Sequence, residues 1–208
     1  MFVALVCLGA YAAWLYVLHP PGKSTTQSAS NSRTGFDITR RLIYPKGAYV
    51  LHMLRMMMHD NKIGDQHFKE TMRDFVQTYS GKAATTEDFK AAIEKHMTPE
   101  MDMEGNHRMD WFFNEYVYGI GEPQYSFHST LDYPADGKTH FKVELTRTGV
   151  PNTWKDVIPL YAHIGDKTIK MGNMTVTHPT ETVDTTIQGK IDRISINDYE
   201  DLLAEVKQ

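Results

Sequence analysis

The chain has 208 residues, 41% of them hydrophobic, and 22 Lys and Arg against 26 Asp and Glu give a formal net charge of -4. The apolar share suffices for a real core and excludes wholesale disorder, and the mild acidity without a basic block argues against nucleic acid as a partner. The single cysteine, Cys7, excludes a disulfide framework within the chain.

The first residues differ from the rest. Phe2 to Leu18 carries no charge, and its length sits at the short limit for a membrane-spanning helix. No Lys or Arg precedes it, and the nearest small-x-small site, Ala10-Tyr11-Ala12, falls inside the apolar run. The stretch 1–19 therefore reads as an uncleaved anchor, with a signal sequence or an incidental apolar leader as alternatives. Trp14, Tyr16 and His19 suit a membrane interface. Lys23 and Arg33 follow the run, which by the charge rule puts the C-terminal side in the cytoplasm. Residues 20–35 are rich in Pro, Gly, Ser, Thr and Asn and read as a flexible linker.

Folded sequence is expected from Phe36, as a helical segment over 36–123. Pro45 favours an extended Tyr44, and Pro45-Lys46-Gly47 reads as a turn into a helix from Lys46 to Met58. Val50, Leu51, Leu54 and Met58 share one side of that helix, with Met53 and Met57 adjoining. The run from Asn61 to Asp65 breaks it. A second helix buries Phe68, Met72, Phe75, Val76 and Tyr79, and Gly81 is its left-handed cap. Thr85 and Asp88 form a capping-box-like start for a third helix with the stripe Phe89, Ile93, Met97. Asp110 caps a fourth, aromatic helix that Gly119 and Pro123 stop.

After Pro123 the period changes from helical to alternating. His140–Arg147, Val157–Gly165, Lys167–Val176, Glu181–Gln188 and Lys190–Asn197 read as short strands separated by turn residues. Their even spacing predicts a small antiparallel β-sandwich over 124–197. Residues 198–208 read as an acidic tail with a helical turn or two.

Few residues stand out as chemistry. There are ten histidines, but none is followed by Glu, so H-E-x-x-H is absent. His52 and His59 lie two helical turns apart, too far to share one zinc unaided. There is no G-x-S-x-G elbow and no glycine-rich phosphate loop. The cluster Met53, Met56, Met57, Met58 reads as core packing. Tyr44 has a phenol that stays protonated at neutral pH and can donate to a developing oxyanion; read from the residues alone, it is equally an ordinary structural tyrosine.

Three stretches taken in order resemble a known family: "YPKGAYVLHMLR", "DFVQTYSGKAATTEDFKAAIEKHM" and "MDWFFNEYVYGIGEPQYSF". They are similar to the segment after the zinc site in the alanyl aminopeptidase (aminopeptidase N) family of zinc metallopeptidases. The resemblance runs from about Ile38 to the C-terminus and is tightest up to Phe127. It implies an α+β multidomain chain, with the helical part of a gluzincin-type peptidase domain followed by a small antiparallel sandwich. It places the family's transition-state tyrosine on Tyr44, as a donor to the oxyanion of the tetrahedral intermediate. Lys46 and Gly47 match the motif and read as a solvated charge and a turn.

The departure from the family is large. The zinc histidines, the general-base glutamate, the third ligand and the motif that holds a substrate's amino terminus have no counterpart in these 208 residues. The expectation is therefore the C-terminal portion of a zinc metalloaminopeptidase that binds no zinc itself, is inactive alone, and needs a zinc-bearing N-terminal half as partner. Peptide would be a substrate only of the complete enzyme. The alternative is a non-enzymatic, membrane-tethered interaction module derived from such a peptidase. A metal hydrolase built on His52, His59 or His107 is a third reading. The family resemblance implies a membrane-anchored or exported chain, against the charge rule.

Overall fold

The computed structural model describes the backbone of residues 32–134 and 136–208 and the side chains of residues 45–134 and 136–208. The apolar leader and most of the expected linker lie outside the described residues. No helix among the described residues is long and apolar enough to cross a membrane.

The first helix, α1 (Ser32–Met58), begins well before the expected start and runs without a break through Tyr44, Pro45, Lys46 and Gly47. The Pro-Lys-Gly stretch is thus helix interior and not a turn, and the last residues of the expected linker are helical. Pro45 has no N–H for the Arg41 carbonyl, a local cost of roughly 3 kcal/mol. Strong burial downstream outweighs it, because Val50, Met53, Leu54, Met57 and Met58 are each at most 3% exposed. These positions recur at helical spacing, and Met56 is buried as well.

Asp60 and Gly64 exchange backbone hydrogen bonds and close the turn after α1. Then α2 (Gln66–Tyr79) buries Phe68, Met72 and Phe75. Val76, expected in that stripe, stands 41% exposed at its rim. Gly81 takes φ +72, the left-handed conformation expected of it. Helix α3 (Thr86–His96) has the full capping box: Thr85 Oγ1 accepts from the Asp88 N–H, and Asp88 accepts from the Thr85 N–H. A 3-10 turn (Pro99–Met101) leads towards α4 (Asp110–Phe112), which passes into a π turn (Phe113–Val117). The expected single fourth helix is therefore replaced by two short pieces, and Asp110 is its first residue, not its cap. The extra residue per turn lets Phe112, Phe113 and Tyr116 all bury, together with Trp111.

Seven strands follow: β1 (Gln124–Asp132), β2 (Lys138–Thr148), β3 (Asp156–Ile164), β4 (Lys167–Val176), β5 (Thr180–Gln188), β6 (Arg193–Ile196) and β7 (Glu205–Lys207). They form a four-stranded sheet in the order β5-β2-β1-β7 and a three-stranded sheet in the order β4-β3-β6. All pairings are antiparallel except β1 with β7. The C-terminal tail is thus a parallel edge strand and not a helical turn. It covers the open edge of β1, starting where the Glu205 N–H donates to the Pro123 carbonyl at 3.0 Å.

The fold is mixed α+β with two cores. Methionines and aromatics of the four helices fill one, which also takes in Trp154 and Val157. Phe127, Phe141, Val143 and Leu145 of the first sheet meet Ile158, Met174, Val176 and Ile196 of the second in the other. Strand β3 buries seven consecutive residues, Asp156 to Ala162, because one face meets the first sheet and the other meets the helices.

Candidate functional site

Tyr44 sits in the interior of α1, and its side chain lies outside the described residues. Its neighbourhood is fixed from two residues on. Lys46 Nζ donates to the Gly119 carbonyl at 2.7 Å, tying the stretch of α1 after Tyr44 to the segment that leaves the π turn. Lys46 is half-buried, and that burial lowers its pKa. It is a structural tie, not the solvated charge expected from the sequence.

A second lysine holds the other end of α1. Lys170 on β4 donates through Nζ to the carbonyls of Met56 at 2.7 Å, Met57 at 3.3 Å and His59 at 2.9 Å. These carbonyls lie at and just after the end of α1, where a helix leaves acceptors short of internal partners; that of Met56 also accepts from the His59 N–H at 3.4 Å. An ammonium there also meets the negative end of the helix dipole. Burial pushes the Lys170 pKa down to about 8. Asn61 Nδ2 donates to the Lys170 carbonyl, and Asn173 Nδ2 donates to the Met57 carbonyl at 3.3 Å.

Two clefts flank this lysine. One, of about 280 Å³, is lined by His59, Asp60, His67, Thr98, Glu100 and Asn173. The other, of about 360 Å³, lies between α1 and the residues around Tyr199 and includes His52, Arg55, His59 and Tyr161. His52 and His59 thus line a common cleft, but they have other partners: His52 Nε2 lies 2.8 Å from the Tyr199 carbonyl, and His59 Nδ1 lies 2.7 Å from Asp65. Burial works against ionisation of Asp65, but hydrogen bonds from Arg55 and His59 outweigh it and hold the carboxyl below its usual range. His107 stands apart, on an exposed loop, 3.1 Å from Asp102. Among the described residues no three His, Cys, Asp or Glu side chains form a group that could hold a metal ion.

At the opposite end of the joint, Asp156 begins β3 and is almost wholly buried. It accepts from Tyr116 Oη at 2.5 Å, from Trp154 Nε1 at 3.0 Å, and from Tyr125 Oη. Burial raises its pKa to about 6, against the pull of these donors and of the Arg147 charge. No sequence pattern marks Lys170 or Asp156, since each is one charged residue among strand residues and becomes special only through what packs on it.

Residues 18–116 match the family model described as the peptidase family M1 domain. The match covers just under half of the 208 residues, including Tyr44, all of α1 to α3 and the start of the π turn. It supports an M1 relationship, and with it a peptidase-family origin, for the helical part. No curated protein matches the chain.

Proposed function

We propose that the chain is a portion of an M1-type zinc aminopeptidase that acts on the N-terminus of peptides. It supplies Tyr44 as the donor to the oxyanion of the tetrahedral intermediate, and the zinc ligands come from residues outside these 208. The family match over 18–116, containing Tyr44 in the Y-x-K-G pattern, carries this reading. The sequence has no H-E-x-x-H, and no step through the metal is assigned to the residues present. In this reading the helices form part of a gluzincin-type domain, the two sheets a small sandwich, and Phe2–Leu18 an anchor on an exported chain.

The test is hydrolysis of an alanyl chromogenic substrate by the full chain mixed with a zinc-bearing M1 half. Activity is expected only in the mixture. Tyr44→Phe should lower kcat on the order of 100-fold with little change in KM, the usual size for loss of one oxyanion donor. Turnover unaffected by Tyr44→Phe would sink the assignment of that residue.

One observation favours a second reading, a non-enzymatic interaction module. A helical segment cut from its partner should expose a broad apolar face. Here Met53, Leu54, Met57 and Met58 are covered within the chain. A monomer in sedimentation, with no turnover in any mixture, would favour the module.

A further inference from the structure

Glu115 belongs to the π turn, and its carboxyl points at the joint with the sheets. Its Oε1 accepts from the Lys155 N–H at 2.9 Å, one residue before Asp156. Its Oε2 is buried with no hydrogen-bond partner. Arg147 of β2 comes to the same place, 4% exposed, with one guanidinium nitrogen donating to the Asn152 carbonyl at 3.1 Å and the other, Nη1, buried and unpartnered. The charged groups facing Glu115 are Asp156 of β3, Arg147 of β2 and Lys155. Lys155 is itself engaged, since its ammonium lies 2.5 Å from Glu104. One buried cation, Arg147, therefore serves two carboxyls, Glu115 and Asp156. Only one of these, Asp156, is provided with a full set of donors.

We propose that Glu115 is a proton-controlled pin of the joint between the helices and the sheets: it holds the π turn to the start of β3 as a neutral carboxylic acid, and losing its proton loosens that attachment. The chemistry is a single ionisation, with the proton released to solvent and no other bond made or broken. While Glu115 is neutral, Arg147 and Asp156 balance each other. Once it is ionised, the joint holds two anions, one buried and one half-buried, against one buried cation, and a buried oxygen without a donor carries part of the new charge. Like charges that share a site raise the cost of ionising the second. Burial, in the first place, and the Asp156 charge push the Glu115 pKa up to about 8, against the pull of the Lys155 N–H hydrogen bond and of the Arg147 and Lys155 charges. The sign follows from linkage. A carboxyl that holds its proton more tightly when folded contributes stability that is complete below its unfolded pKa, near 4.5, and is gone once the pH has passed about 8. The change within the folded chain itself comes at the upper end of that window. The pin is independent of the peptidase reading, because it concerns the attachment of the π turn to the sheets and not Tyr44.

The full chain tests this in two ways. The carboxyl carbon of Glu115, followed by NMR from pH 5 to 10, is expected to titrate near 8; a midpoint in the ordinary glutamate range would overturn the proposal without any variant. Hydrogen exchange at the Lys155 amide, corrected for the intrinsic pH dependence, is expected to rise on the order of tenfold between pH 7 and 9 in the wild-type chain. In Glu115→Gln, which keeps the shape and stays neutral, the corrected rate should remain flat over the same range. Equal acceleration in both proteins would show that the loosening belongs to another group, and the pin would be rejected.

Discussion

The joint between helices and sheets is built twice, with opposite signs. At one end the buried carboxylate of Asp156 is met by three neutral donors, two phenols and an indole. At the other the buried ammonium of Lys170 is met by three neutral acceptors, the carbonyls that end α1. Neither charge is within ion-pairing distance of an opposite charge among the described residues. Both are solvated by fixed dipoles, which replace the water that burial removed. The two ends differ in what the dipoles are. Side chains from three separate places converge on Asp156, whereas the partners of Lys170 are backbone atoms of one helix end. Loss of the first charge should therefore strand side chains from several elements, and loss of the second should fray one helix terminus.

The largest effect is expected at the acid. Asp156→Ala leaves three buried donors without an acceptor and opens a void, at a cost of roughly 3–5 kcal/mol in urea unfolding. Asp156→Asn keeps the shape and serves to read the pH dependence. The folded pKa of about 6 stands above the ordinary 3.8, so the aspartate contributes stability that is present below about pH 4 and lost as the pH rises through 6. For so deeply buried a group the loss integrates to about 3 kcal/mol. Measured as the difference between wild type and Asp156→Asn, it should appear between pH 4 and 6. A difference that does not change over that range would mean that the donors, and not burial, set the behaviour of the site.

At the base the expected effect is smaller. Lys170→Met leaves the α1 carbonyls without their donor but also removes a buried charge, so the net cost is about 2 kcal/mol. The pH dependence has the opposite sign. A lysine whose folded pKa falls to about 8 gives up its proton sooner when folded, so the penalty for burying its charge fades as the pH rises from 8 towards 10.5. Wild type should gain on Lys170→Met over that interval. If the variant instead loses protection from hydrogen exchange throughout the helices, the two ends of the joint are not the separable units described.

Much of this architecture is legible in the residues, and the illegible part is of one kind. The capping box at Thr85 and Asp88 and the stripe of Phe89 and Ile93 are local, and the structure has them as read. The strand Lys167–Val176 coincides with its alternating pattern. What local reading misses is decided by distant packing. Pro45 lies inside a helix that the buried run after it sustains. The C-terminal residues become a strand because β1 offers them an edge. Lys170 looks like any outward-facing lysine of an alternating strand until the end of α1 is placed above it. The candidate site divides likewise, since Tyr44 is found through a motif in the sequence, whereas Asp156, Glu115 and Arg147 carry no motif and meet only in the fold.

The finest distinction between the two ends is whether the donors of Asp156 act together. Tyr116→Phe removes one hydroxyl and leaves a ring that packs 5.3 Å from Phe112 and 5.2 Å from Trp154. One hydrogen bond to a charged group should cost about 1.5 kcal/mol. Combined with Asp156→Asn, the effect should shrink, because an amide oxygen is a weaker acceptor than a carboxylate; a double-mutant cycle would show coupling on the order of 1 kcal/mol. Tyr116→Phe should also move the pH dependence upward, since the lost phenol was one of the groups holding the Asp156 pKa down. Strict additivity of the two substitutions would mean that Tyr116 stabilises the joint through its ring alone. The acid end would then resemble the base end, a charge placed against dipoles that do not respond to it.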